Sequence, residues 1–524
     1  MSLVHMLRIF RILSENLVNK KMKSKFRQIL FILSLSFTVM AADEAMNVLF
    51  IIVDDLRPEL GCYGVNYIKT PNIDKLASSG AIFKNAFVQQ AVCSASRASF
   101  LTGLRPDSTG SDYPYSIYTV ENLFEGDRPS IMRHFMRQGY YVRSIGKIHH
   151  GYNEDFSEKS FSSGYGTRYA DTSVNYAEKA EKIPFERGLV DDRYYDDGKN
   201  TVEAISTLHR MAKQDKPFFL AMGYWKPHLP WNAPAKYWDL YNIQDIPLAQ
   251  NPRHPENSPL FSTDYCNLQK YKLEESPNNL LVGDPRYAQK LKHAYAACVS
   301  YVDAQIGKLL YTLEELNLEN RTMVVLISDH GWHLGEQNHW GKSTNFEYAT
   351  RAPLIISAPG IIKRQEIDAL VEYVDIYPTI CDITGIDLPA YLEGISVLPL
   401  FLNPNREWKK AVFSQYPRGW PKTKFEGYSI RTKRYNYIQW RELDGTFISH
   451  ELYDHKYNSC ESVNIVDDPG NEDLIEDLKT QLAAGWKKAL PEDIVNLSSN
   501  NLAPDFLPWG KEATFGPHAA RKNK

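Results

Sequence analysis

Short apolar runs rich in β-branched residues alternate with longer amphipathic segments over roughly the first 400 residues. That alternation predicts an α/β unit with a large, mostly parallel sheet sandwiched by helices. The clearest strands are 47–53 (NVLFIIV), 140–146 (YYVRSIG), 217–224 (PFFLAMGY), 322–328 (TMVVLIS) and 352–358 (APLIISA). Between Tyr287 and Leu316 the apolar residues recur at helical spacing. The pattern changes near Ala411. AVFSQY, GYSIRTKRYNYIQW and ISHELYDH read as antiparallel strands joined by turns, and NEDLIEDLKTQLAAGWKKAL follows as a helix. The expected organisation is a large domain over 45–405, a smaller C-terminal α+β subdomain built on an antiparallel sheet over 406–490, and an irregular tail over 491–524.

Composition narrows the partners. The chain has 524 residues, 43% of them hydrophobic, enough for a large core and a second smaller one. A net charge of -3 and a pI of about 6.6 give no bulk attraction to nucleic acid or anionic membranes, so any anion recognition is local. The N-terminus reads as an export signal: a basic stretch from Met22, the apolar run ILFILSLSF, then small residues suited to cleavage near Ala41 or Ala42. Met22 is the expected start, and 1–42 is expected to be extension and signal peptide. The apolar run is too short to anchor the mature protein across a bilayer. The six cysteines (Cys62, Cys93, Cys266, Cys298, Cys381, Cys460) contain no C-x-x-C pair, which excludes a zinc ribbon or redox motif on spacing. One or two disulfides fit an oxidising compartment, and sequence cannot pair them.

Four of the predicted strands end abruptly in charge or imidazole. NVLFIIV runs into Asp54-Asp55, TMVVLIS into Asp329-His330, YYVRSIG into Lys147 with His149-His150, and PFFLAMGYW into Lys226-Pro227-His228. Open α/β sheets bind ligands outside the carboxyl ends of their strands. Singly, each is also an ordinary turn or cap; together they make a hard-cation site, for which carboxylate-rich shells suit calcium or magnesium over zinc.

The stretch AVCSASRASFLTG (91–103) leaves Cys93 open as nucleophile, metal ligand, disulfide half or packing residue. Its core, CSASRASFLTG, resembles the type I sulfatase signature Cys-x-(Pro/Ala)-Ser-Arg-x-x-x-Leu-Thr-Gly. The blocks NVLFIIVDDLRPELGCYG, GKIHHGYNEDFS, FFLAMGYWKPHLPW and SDHGWHLGEQNHWGKSTNFEYATRAPLIISAPG are similar to those of the iduronate-2-sulfatase branch, and ELYDHKYN to its C-terminal part. The resemblance runs from about Asn47 to Leu490 and implies an alkaline phosphatase-like fold. It implies that Cys93 is oxidised to Cα-formylglycine (3-oxoalanine) by a formylglycine-generating or sulfatase-maturing enzyme. It further implies one calcium ion held by Asp54, Asp55, Asp329 and His330, with the modified Cys93 touching it. His330 stands where many sulfatases have Asn, as in the iduronate branch.

The residue types suit that chemistry. A sulfate monoester is an anion, so a cation and Lys, Arg or His donors must offset its charge and stabilise the sulfate oxygens in the transition state. A helix starting at Cys93 adds N–H donors and a favourable dipole. The hydrated aldehyde carries two hydroxyls on one carbon, one to attack sulfur and one whose deprotonation expels sulfate. Arg97, at i+4, lies on the same helix face as Cys93. By resemblance, His150 orients or deprotonates the diol, Lys147 binds it and the sulfate, Lys342 contacts the sulfate, and His228 protonates the departing oxygen, as an imidazole of pKa ~6.5 can. His149, His333 and His339 are assigned structural or substrate-rim roles. The implied substrate is a sulfated uronic acid or related sugar in a glycosaminoglycan or algal polysaccharide such as ulvan, and the implied setting is a bacterial periplasm or exterior. Two rivals share the fold: a phosphonate or phosphate monoester hydrolase, and a carbohydrate-binding pseudoenzyme.

Overall fold

NVLFIIV lies near the middle of the main sheet. In the computed structural model, which describes residues 45–109, 128–150, 169–170, 183–263, 266–271, 285–419, 425–494, 496 and 498, it forms β1 (Asn47–Val53), buried at every position. The 1–42 segment and most of the predicted tail lie outside the described residues. β2 (Ala81–Phe87) and β3 (Tyr141–Gly146) join the same sheet. β4 (Phe185–Gly188) does not; it pairs with β6 (Trp231–Pro234) in a short separate ribbon. β5 (Phe218–Tyr224) and β7 (Thr322–Ser328) flank β1. β8 (His333–Leu334) and β9 (Trp340–Gly341) form a second small ribbon. β10 (Leu354–Ser357) and β11 (Gln365–Glu372) complete a seven-stranded sheet of order β11-β2-β10-β7-β1-β5-β3. All its pairings are parallel except those of β10, which is antiparallel to both neighbours.

Alternate residues of β1 face opposite layers, as strand geometry requires. Leu49, Ile51 and Val53 pack with α1 (Pro71–Ser78), α4 (Asp196–Met211) and α5 (Pro285–Glu315). Val48, Phe50 and Ile52 pack with α2 (Cys93–Thr102), α3 (Ile131–Arg137) and α6 (Ile376–Thr384). Among the described residues no helix is long and apolar enough to cross a membrane. All six cysteines are free thiols, so neither of the disulfides the sequence allowed is formed.

From Ala411 the chain forms the antiparallel sheet β12 (Ala411–Arg418), β13 (Phe425–Thr432), β14 (Tyr435–Glu442) and β15 (Phe447–Asp454). α7 (Glu472–Ala484) covers it through Ile475, Leu478 and Leu482. β12 also lies along the chain that leads to α2: Gln415 N donates to Gln89 O at 2.8 Å and Ser414 Oγ to Val88 O at 2.5 Å. A buried ionic joint secures the seam. Arg105 grips Glu372 through both carboxylate oxygens, at 2.8 and 2.7 Å, and Lys409 bridges Glu372 and Asp375 at 2.8 Å each.

Candidate active site

Parallel register brings four strand ends to one level. Val53 is opposite Ser328 and Tyr224, and Gly223 is opposite Gly146, so Asp54, Asp329, Lys147 and Trp225 leave the sheet at the same edge. Backbone bonds continue past the strands, from Asp54 N to Tyr224 O, Asp329 N to Val53 O and Lys147 N to Gly223 O. Gly146 permits this turn. Its φ is +76°, and a Cβ there would sit 2.0 Å from Gly223 O. Asp55 also adopts a left-handed φ of +59°, held by its N–H on Asp329 Oδ1 (3.0 Å) and by Tyr295 OH on its carbonyl (2.9 Å).

One ligand atom each from Asp54, Asp55, Cys93, Asp329 and His330 lies within 4.8 Å of all the others, and all five residues are buried. Burial pushes the Asp55 carboxyl up to about 6 and the Asp329 carboxyl up to about 7, against the pull of Lys342 on the first and of His330 and Arg97 on the second. Burial would raise Asp54 as well, but Lys147 and Arg97 outweigh it and hold that carboxyl well below its usual range. Asp55 Oδ2 is buried with no hydrogen-bond partner. His330 Nδ1 is 2.9 Å from Gly331 O, a bond that turns Nε2 toward the cluster. Against burial, Asp329 and Cys93 raise the imidazole's pKa above its usual value, so a cation would take Nε2 in place of its proton. Three carboxylates, one of them with an orphaned buried oxygen, and an imidazole nitrogen fit a hard divalent cation.

Cys93 is the first residue of α2, with Val92 extended before it. Its Sγ is 3.3 Å from His330 Nε2, 3.4 Å from Asp54 Oδ1 and 2.8 Å from Lys342 Nζ. Lys342 also reaches Asp55 Oδ1 at 2.6 Å, and Lys147 bonds Asp54 Oδ2 while its ammonium lies 4.8 Å over the Trp225 ring. Burial and Asp54 disfavour the Cys93 thiolate, yet Lys147, Lys342 and His330 outweigh them and lower its pKa well below the ordinary value. Arg97 does face the same side as Cys93, but its guanidinium ties strand ends together. Nε meets Asp329 Oδ2 at 3.1 Å, Nη2 meets Asp54 Oδ1 at 3.3 Å, and Nη1 meets the carbonyls of Lys147 (2.5 Å) and Ile148 (2.9 Å).

His228 Nε2 stands 4.0 Å from Asp55 Oδ2, and its Nδ1 is 2.5 Å from Leu229 O. Burial, with Lys147 and Lys342 nearby, holds the imidazole well below its usual pKa. His150 is half-buried beside Lys147, and its buried Nδ1 has no hydrogen-bond partner among the described residues. Burial and Arg97 push His149 down to about 3. His333 bonds Gln337 and Thr344, and His339 bonds the Lys342 carbonyl at 2.7 Å; both stand behind the cluster as supports.

Sequence reasoning passed over several contributors. Ser96 Oγ holds the Asp329 carbonyl, Ser328 Oγ accepts from Leu56 N at 2.9 Å, and Asp197 accepts from Trp225 N and Lys226 N at 2.8 and 2.9 Å. Ser96 sits inside the quoted 93–103 stretch and was open to notice. Asp197 carried no signal beyond a helix-start aspartate.

A seven-stranded sheet with its ligand-bearing residues at the carboxyl edge, followed by an antiparallel C-terminal sheet, is consistent with an alkaline phosphatase-like fold. A domain described as sulfatase matches residues 46–386, and one described as N-sulphoglucosamine sulphohydrolase, C-terminal, matches 335–488. Iduronate 2-sulfatase of Homo sapiens is 34% identical over 474 residues, covering 76% of this chain and 85% of that protein. A sulfatase of Formosa agariphila is 30% identical over 464 residues, covering 83% of this chain and 86% of that protein. The solved phosphonate monoester hydrolase of Silicibacter pomeroyi superposes with a TM-score of 0.69 at 21% identity, over 85% of this chain and 96% of that one, a likeness of fold alone. The chain belongs to the sulfatase family. It is a sulfuric ester hydrolase.

Proposed function

We propose that this chain is an exported sulfatase that removes sulfate from sugar residues of a sulfated polysaccharide or its oligosaccharides, with Cys93 matured to formylglycine and calcium held by Asp54, Asp55, Asp329 and His330. The observation that carries the reading is the convergence of five ligand atoms within 4.8 Å, with Lys147 and Lys342 bonded to Asp54 and Asp55. The 34% identity to an iduronate 2-sulfatase supports a sulfated uronic acid or a related sulfated sugar as substrate. Bound calcium would supply Lewis-acid polarisation of a sulfate oxygen, and the hydrated aldehyde at position 93 would supply the attacking hydroxyl.

The chain's own residues do the rest. Lys342 and Lys147 bring two buried ammonium groups to the sulfate, where low dielectric strengthens their hold on an anion. Arg97 fixes Asp54, Asp329 and the Lys147 carbonyl relative to one another, so the sulfate meets a preformed shell. Leu229 O anchors His228 Nδ1, which turns Nε2 toward the site. An anionic sulfate beside that ring raises its proton affinity, the direction a general acid for the departing sugar oxygen requires. His150 Nδ1, without a hydrogen-bond partner among the described residues, is the candidate base at position 93.

The test is sulfate release from a panel of defined sulfated oligosaccharides by matured, calcium-loaded protein, with Asp54→Ala in parallel. The expected result is loss of one sulfate ester with the sugar chain intact, and neither bound calcium nor turnover in the variant. Full metal retention by Asp54→Ala would remove the proposed shell.

A further inference from the structure

The loop carrying Lys342 is pinned by one of its own residues and from two distant parts of the chain. His339 Nε2 meets the Lys342 carbonyl at 2.7 Å, and Ser343 N donates to Ala91 O at 3.0 Å, two residues before Cys93. The third pin is the carbonyl of Ser343, which accepts from Arg418 Nη1 at 2.8 Å. Ser343 has a φ of +73°. A residue with a side chain keeps such a left-handed backbone only where its surroundings over-determine it, and such outliers point toward function.

Arg418 is the last residue of β12, in the C-terminal sheet, and is buried. Its Nε donates to Phe261 O and its Nη2 to Ser262 O, both at 2.6 Å, and the guanidinium lies 4.9 Å from the Tyr416 ring centre and 5.1 Å from that of Trp440. One planar fork therefore joins two otherwise separate carbonyl segments, 261–262 and 343. Earlier along the same strand, Ser414 and Gln415 hold the chain at Val88 and Gln89 that runs on to Cys93.

We propose that Arg418 is a positioning residue for sulfate binding: through the Ser343 carbonyl it sets the Lys342 ammonium between Asp55 and position 93, so the C-terminal sheet supplies part of the anion site's order. The proposal rests on the reading of Lys342 as a sulfate ligand. A lysine at 418 would keep the charge but could not span the same carbonyls in one plane.

A double-mutant cycle of Arg418→Lys and Lys342→Ala tests it, using matured, calcium-loaded full chain. Two quantities are read: kcat/KM for a sulfated oligosaccharide and inhibition by inorganic sulfate. Arg418→Lys alone should lower kcat/KM by up to about a hundredfold, the scale of a small misplacement acting from outside the site. It should weaken sulfate inhibition in parallel. In the Lys342→Ala background the same change should cost less than about threefold, since the group it positions is gone. Equal fold-losses in both backgrounds would overturn the proposal and leave Arg418 a structural residue. Unchanged turnover and sulfate inhibition in Lys342→Ala alone would overturn the reading of Lys342, and the proposal with it. If Arg418→Lys does not fold, Arg418→Gln enters the same cycle.

Discussion

Replacing Arg97 with methionine would separate its structural work from the charge balance of the site. Arg97 is 1% exposed and donates to two carboxylates and two carbonyls from three strand ends. Removing one partner of a buried ion pair costs about 3–5 kcal/mol, because the other charge stays buried without compensation. With unfolding entropy near 2.1 cal/mol/K per residue over the roughly 380 described residues, 1 kcal/mol corresponds to about 1.2 °C, so Tm should fall by about 4–6 °C. That loss belongs to the metal-free protein. A calcium ion bound among Asp54, Asp55 and Asp329 would replace the missing positive charge, so the fall should shrink when calcium is saturating. Scanning calorimetry of Arg97→Met and the parent, each in chelator and in calcium, gives the four values needed. A fall in chelator below about 1 °C, or one of equal size with and without calcium, would refute the reasoning.

Calcium affinity should weaken as pH falls, because Asp55 (about 6) and Asp329 (about 7) must lose protons to bind metal. The expected slope, read by isothermal titration of the metal-free protein, is at least about tenfold per pH unit between those values and at least about a hundredfold per unit below them. The proton on His330, whose pKa is also raised, adds to both. His228→Ala should depress turnover of sugar sulfates much more than aryl sulfates, whose phenolate departs without a proton; equal single-turnover losses would leave His228 a sulfate ligand only. His150→Ala should depress both substrates alike, because regenerating the aldehyde is common to them, and a loss confined to sugar sulfates would move His150 out of that role.

The strands that build the site were legible because they are buried on both faces and read as unbroken apolar runs that stop at charge. β2 and β11 were not. AIFKNAF and QEIDALVE carry polar residues that remain partly exposed toward the sheet's edge, so neither reads as an apolar run. Asp54, Asp55, Asp329 and His330 could be brought together from sequence because they sit at strand ends and parallel register does the rest. Their selection as the shell, and the place of Cys93 beside them, came from the resemblance to sulfatases. Arg97 was placed by its i+4 spacing, but its tie to the carbonyls of Lys147 and Ile148 depends on packing between α2 and the end of β3. Arg418 was invisible, since the carbonyls it ties together, those of Phe261, Ser262 and Ser343, lie 75 and more residues away and its neighbours in sequence read as an ordinary strand.

Turnover should depend on an aldehyde made from Cys93. Preparations matured to different extents can be compared by measuring the aldehyde fraction in the peptide containing position 93 and the sulfate-release rate of the same calcium-loaded sample. The expected result is a straight line through the origin, with Cys93→Ala folded and at zero. A rate that persists where the aldehyde fraction vanishes would contradict it.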